Sequence, residues 1–186
     1  GMGQGVRFED TAFERMSVLL ADRGIDARVV NRAVRGYDIA EVVDRAETEL
    51  AEAAYDVVIY WLVLDDFGLD VDARPAPEPS MSATVRFFRH ARAQWDVSQE
   101  TTKAYLDAFT GKTLAEGSQA LGLLHETARA HNAHLVVAVM PLLYDFDSYP
   151  FGPIHATLRT VCNDRGLTCV DLMPTLQIND ASSLWV

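Results

Sequence analysis

Asp56-Val57-Val58-Ile59-Tyr60-Trp61-Leu62-Val63-Leu64-Asp65-Asp66-Phe67 is the stretch that decides the fold. Its apolar run is unbroken from Val57 to Leu64 and rich in β-branched and aromatic residues. It has no polar alternation, so it predicts a strand over 56–63 with both faces buried, as in parallel sheets flanked by helices. Two further runs repeat the signal. His134–Met140 is apolar and ends at Pro141, and Leu167–Asp171 follows a helical pattern closed by Gly166. Upstream, the short β-branched run Ala27–Asn31 is read as another strand.

Between these runs the apolar residues recur at helical spacing. Phe13, Met16, Leu19 and Leu20 form one face of a helix over 11–23, opened by a Thr11/Glu14 capping-box pattern and stopped by Gly24. Ile39, Val42, Val43, Ala46 and Leu50 form a second helix, with Asp38 as its N-cap. Helices are also expected over 81–95, 99–110 (capped by Ser98), 113–131 and 153–164. Residues 70–80 hold Pro75, Pro77 and Pro79 and predict a Pro-rich loop inserted into one domain that spans 1–186. Helices alternating with buried strands imply an α/β fold, a three-layer α/β/α sandwich around a mainly parallel sheet. Ligands of such folds bind at the carboxyl ends of the strands. Here those ends are Asn31–Gly36, Leu64–Phe67, Pro141–Tyr149 and Asp171–Pro174.

The 186 residues are 49% hydrophobic, enough for a real core, and carry a net charge of −11. That charge opposes binding to nucleic acid or to anionic lipid surfaces. No apolar run approaches the ~18 residues a membrane span needs. Gly1-Met2-Gly3-Gln4 shows no secretory leader, so a chain starting at Met2 is expected in the cytoplasm, while an upstream segment would leave export open. Cys162 and Cys169 fit no metal spacing and are expected to be two part-buried reduced thiols, with a disulfide as the lesser alternative.

The strand-end loops carry Asn31, Gly36, Asp65, Asp66, Asp145, Asp147 and Asp171. Gly36 follows a strand and could bring its amide close to a developing oxyanion. His90, His125, His131, His134 and His155 fall on helices or a strand start and are read as surface or packing residues. No GxSxG elbow, GxGxxG fingerprint or phosphate-binding P-loop is present.

Taken in order, these segments resemble the SGNH/GDSL hydrolase family. Val29-Val30-Asn31-Arg32-Ala33-Val34-Arg35-Gly36-Tyr37-Asp38 resembles the block that carries the oxyanion glycine. Asp56–Phe67 resembles the block in which a buried strand ends in Asn-Asp. Pro141, Tyr149-Pro150-Phe151 and Val170-Asp171-Leu172-Met173-Pro174 also resemble family members. The resemblance implies a flavodoxin-like SGNH hydrolase fold and a cofactor-free serine esterase. Its substrate would be a small acyl ester or an acetylated carbohydrate, with Gly36 and the position of Asp65 as oxyanion donors and Asn31, Asp66, Pro141 and Tyr149 lining the site. Gly3-Gln4-Gly5-Val6 resembles the stretch after Gly-Asp-Ser, which places the serine about two residues before Gly1. Ser183–Val186 resembles the approach to Asp-x-x-His. Residues 1–186 alone are therefore expected to turn over no small acetyl ester. Asp65 stands where the family has Asn, and an ionised carboxylate cannot donate to an oxyanion. A non-catalytic domain that binds acylated carbohydrate or a protein partner is the alternative reading, and O-acyl transfer a further one; homo-oligomerisation is left open. Because the family's central first strand would precede Gly1, the expected sheet is reduced to four strands, with 27–31 pairing directly with 56–63, and donation of a strand by another chain ranks second.

Overall fold

Strands β1 (Val57–Leu62), β2 (His134–Val139) and β3 (Thr168–Asp171) form a parallel sheet in the order β1-β2-β3. Val57 lies opposite His134 and Leu62 opposite Val139, while Val136 lies opposite Thr168 and Val139 opposite Asp171. The ladder runs on past the strands, through the amide of Met140 to the carbonyl of Leu62 and that of Leu172 to the carbonyl of Val139. The computed structural model describes residues 7–34, 37–67, 102–103, 105–107, 109–143 and 145–178, with the backbone alone at Phe8 and Asp65. The Pro-rich loop 70–80, the 81–95 helix, the Ser98 cap and Gly36 lie outside these residues.

Among the described residues four longer helices accompany the strands. Helix α1 (Ala12–Asp22) begins where the Thr11 hydroxyl accepts from the Glu14 amide at 3.5 Å, and Gly24 follows its end at φ 72°. Helix α2 (Ile39–Glu52) has a complete capping box. The Asp38 carboxylate accepts from the amides of Ala40 and Glu41, and the Glu41 carboxylate accepts from the Asp38 amide at 2.7 Å. Helix α3 (Gly111–Ala130) leads into β2, and helix α4 (Gly152–Arg165) into β3. Gly166 ends α4 in the left-handed conformation, φ 64°, which a glycine adopts without steric cost. A short helix α5 (Met173–Leu176) follows β3, and residues 102–103 and 105–107 are helical, within the expected 99–110 segment.

Alternation along the strands sends Val58, Tyr60, Leu62, Leu135, Val137 and Val139 to one face, where they join Leu50, Leu121, Leu124, Ile154 and Leu158 in a single core. Helices α2, α3 and α4 supply those partners; α3 and α4 are the crossovers from β1 to β2 and from β2 to β3, which advance in one direction and so cover the same face, and α2 packs beside α3. On the opposite face Phe13 of α1 meets Trp61, ring centroids 6.3 Å apart, and Val57, Ile59 and Val170 stay substantially exposed. The fold is α/β, with a three-strand parallel sheet among the described residues. No helix among them is long and apolar enough to cross a membrane.

Two expectations are corrected. Residues 27–31 form no strand, since 25–34 has no regular secondary structure, so the described sheet has three strands and not four. A β-branched run does not make a strand without a neighbour to pair with, because strand preference is mostly packing against that neighbour. Cys162 and Cys169 are not free thiols. They form a disulfide, Cα atoms 6.2 Å apart, that links the end of α4 to the middle of β3 across the Gly166 turn.

Candidate functional site at the carboxyl edge of the sheet

The parallel sheet brings the ends of all three strands to one edge. After β1 the chain tightens into a 3-10 turn over Leu64–Phe67. Asp66 holds that turn: its Oδ2 accepts from the Val63 amide at 3.1 Å and from the Tyr60 hydroxyl at 2.7 Å. Phe67 anchors the far end, 4.9 Å from Phe109 between ring centroids, and its ring lies where Gly117 of α3 has no side chain. Asp65 sits inside this turn, a position fixed by its neighbours on both sides.

Beside β1 lies an open cavity of about 530 Å³. One wall is β1 itself. The other is the irregular segment 30–34, whose Asn31 bends the chain by accepting from the Ala33 amide at 3.0 Å. Asn31 and Asp66 both line this space, with Tyr37, Val42 and Leu124 among the apolar residues between them. Its two arginines share one carboxylate. Arg32 lies 3.1 Å from Glu49, and Arg45 also bonds Glu49.

A second cluster sits at the ends of β2 and β3. His155, in the first turns of α4, is 5% exposed. Its Nδ1 donates to Asp171 Oδ1 at 2.9 Å, and its Nε2 lies 3.1 Å from the Tyr149 hydroxyl. Asp171 can only accept when ionised, so the proton of a neutral imidazole resides on Nδ1 and Tyr149 donates to Nε2. The Tyr149 oxygen in turn accepts from the Leu142 amide at 3.1 Å, immediately after buried Pro141. Asp171 also accepts from the Met173 amide at 3.0 Å and meets Arg159 at 3.5 Å. The chain Tyr149–His155–Asp171 has the hydroxyl–imidazole–carboxylate order of a nucleophilic triad. Burial, with the Asp171 charge adding to it, pushes the Tyr149 hydroxyl well above the ordinary tyrosine range. A hydroxyl held neutral in this way, already engaged by Leu142, makes a latch and not a nucleophile. In the same loop Asp145 is held below the usual carboxylate range by the Ser148 hydroxyl and the Asp147 amide.

The sequence candidates thus fall into two groups. Asn31 and Asp66 share the β1 cavity; Pro141 and Tyr149 belong to the latch. Gly36 lies outside the described residues, and Asp65 is placed by its backbone alone. His155 is the residue that sequence reasoning misplaced, since it is neither a surface nor a simple packing residue. Among the described residues no cluster of three His, Cys, Asp or Glu side chains could hold a metal ion. No family model, curated protein or solved structure matches the chain.

Proposed function

We propose that the protein is an SGNH/GDSL-like ester hydrolase domain acting on a small acyl ester or an acetylated carbohydrate at the carboxyl edge of its sheet. One observation carries the reading. Asn31 and Asp66, one from each of the two segments that resemble the family's oxyanion blocks, stand more than thirty positions apart in sequence yet line the same cavity. Completion of the α/β core to a three-layer, flavodoxin-like sandwich belongs to this reading. In it, Gly36 donates its amide to the developing oxyanion, Asp65 occupies the second donor position, and the Tyr149–His155–Asp171 latch holds the neighbouring loop in place.

A non-catalytic binding domain is the second reading, and a specific observation favours it. Asp66, Tyr149, His155 and Asp171 are all engaged by other groups of the chain, and at the position of Asp65 a carboxylate would repel an oxyanion. The two are separated by assaying the protein, with whatever its gene encodes on either side of residues 1–186, on p-nitrophenyl acetate and with a fluorophosphonate probe. Turnover together with a covalent serine adduct supports the hydrolase. Saturable binding of an acetylated oligosaccharide with neither turnover nor adduct supports the binding domain.

A further inference from the structure

Two side-chain links join α4 to β3, and they are spaced alike along both elements. Cys162 follows His155 by seven residues, two turns of α4, so both stand on the helix face that also carries buried Ile154 and Leu158. Cys169 precedes Asp171 by two residues, so both point to the core face of β3, while Val170 between them is 46% exposed on the other face. The Cys162–Cys169 bond is one rung of this helix–strand seam and the His155–Asp171 hydrogen bond is the next. Among the described residues, the side-chain hydrogen bonds that reach β3 from α4 all end on Asp171, from His155 at 2.9 Å and from Arg159 at 3.5 Å. Apart from apolar packing, the disulfide is what ties the earlier part of β3 to the helix.

The second rung carries the loop after β2. His155 Nε2 accepts from the Tyr149 hydroxyl, and the Tyr149 oxygen accepts from the Leu142 amide at 3.1 Å. Every bond in this series is directional and weakens steeply when its partners shift or turn. A covalent rung two turns along the same helix limits how far α4 can slide or rotate against β3. It therefore keeps His155 within reach of Asp171, because less freedom remains to be lost when that bond forms.

We infer that the disulfide and the latch are one clamp, so that the redox state of Cys162 and Cys169 sets the order of the loop after β2, at the edge of the sheet where ligands of parallel α/β folds bind. Cys162 and Cys169 are thus positioning residues that act through His155. This does not rest on the hydrolase reading.

The chemistry of release is thiol–disulfide exchange with a dithiol. Its thiolate attacks the Sγ of Cys169, the less buried of the two cysteines, and the S–S bond breaks. Cys162 leaves as a thiolate and takes up a proton. The second thiol of the reductant then displaces Cys169 and closes its own disulfide, so two electrons and two protons pass to the protein.

Leu142 reports on the latch, because its amide is held by the Tyr149 hydroxyl. Met140 is the control, because its amide bonds the Leu62 carbonyl of β1. Exchange of both amides, and the ring signals of His155, are followed by NMR on residues 1–186, oxidised and after reduction by dithiothreitol. Reduction should speed exchange of Leu142 at least ~5-fold and that of Met140 less than ~2-fold, and should expose the His155 Nδ1 proton to exchange. Coupling of this kind is reciprocal. His155→Ala should shift the equilibrium of the disulfide with dithiothreitol toward the thiols by at least ~5-fold, while Thr160→Ala, at an exposed position of α4, should leave it unchanged. Cys162→Ala combined with Cys169→Ala repeats the exchange comparison without reductant, and reduction of the unaltered protein decides if that variant does not fold. Three results would overturn the inference: Leu142 and Met140 quickening by one common factor, which means that the bond acts on stability as a whole; Leu142 exchange unchanged once both thiols are free; or the same reduction equilibrium in His155→Ala and the unaltered protein.

Discussion

His155 and Asp171, sixteen residues apart in sequence, meet at 2.9 Å and tie the first turns of α4 to the end of β3. With Tyr149 on the other imidazole nitrogen, the pair fixes the loop after β2 against the strand after it. His155→Ala leaves the Asp171 carboxylate and the Tyr149 hydroxyl without their shared partner. The expected loss of stability is about 2–3 kcal/mol, since one of the bonds involves a charged acceptor. Tyr149→Phe should cost about 1–2 kcal/mol. Urea unfolding of the two single variants and the double variant measures both. Strictly additive losses would show that the three groups do not act as one network.

Tyr149 sets an alkaline limit. Its folded-state hydroxyl titrates above the ordinary tyrosine value of about 10, so on raising the pH the unfolded chain loses this proton first. Stability from this group is intact below about pH 10 and is lost progressively above it. Unfolding midpoints measured from pH 8 to 11 should fall at the alkaline end, and the fall should be shallower in Tyr149→Phe. An equal fall in both proteins would assign it to other groups.

The Cys162–Cys169 disulfide closes a short loop whose ends are seven positions apart in sequence. In the chain-entropy account such a loop is worth about 2.5 kcal/mol. Adding reductant, or replacing both cysteines by serine, should lower the melting temperature by several degrees. Mass spectrometry without reduction should find no free thiol. Two alkylatable cysteines in the folded protein would contradict the bond.

Gly117 is a glycine because of Phe67. A β-carbon at that position of α3 would run into the Phe67 ring. In an exposed helix Gly→Ala adds up to about 1 kcal/mol of stability. Here Gly117→Ala should instead destabilise by about 1–3 kcal/mol, because overpacking forces the ring and the Leu64–Phe67 turn to move. Phe67→Leu in the same chain should recover part of the loss.

What the sequence made legible was local. The strands at 57–62, 134–139 and 168–171 announce themselves as apolar runs. The Asp38 cap and the Gly166 stop follow from backbone chemistry that involves only near neighbours. The errors concern relations between distant residues. Ala27–Asn31 has strand-like residues, but pairing depends on a neighbour that its own sequence does not encode. The cysteines sit seven apart, a spacing without meaning until the left-handed Gly166 turn folds α4 back onto β3. His155 looks like one more polar residue of a helix until Asp171 arrives from the next strand. Asp66 was legible as a strand-end acid, yet its role in bonding Tyr60 and Val63 is visible only once the turn has formed.

An ester hydrolase of the proposed kind is tested most directly at Asp65. If this residue occupies an oxyanion-donor position, Asp65→Asn replaces a repelling carboxylate by a hydrogen-bond donor. One donor in such a site is worth about 10²–10³ in rate. The measurement is kcat for p-nitrophenyl acetate, in the protein with all the residues its gene encodes, for the unaltered protein and the Asp65→Asn variant side by side. The proposal predicts a gain in kcat of at least ~10-fold in Asp65→Asn with KM little changed, and faster labelling by a fluorophosphonate. No turnover and no labelling in either form, or a rate indifferent to the substitution, would contradict it.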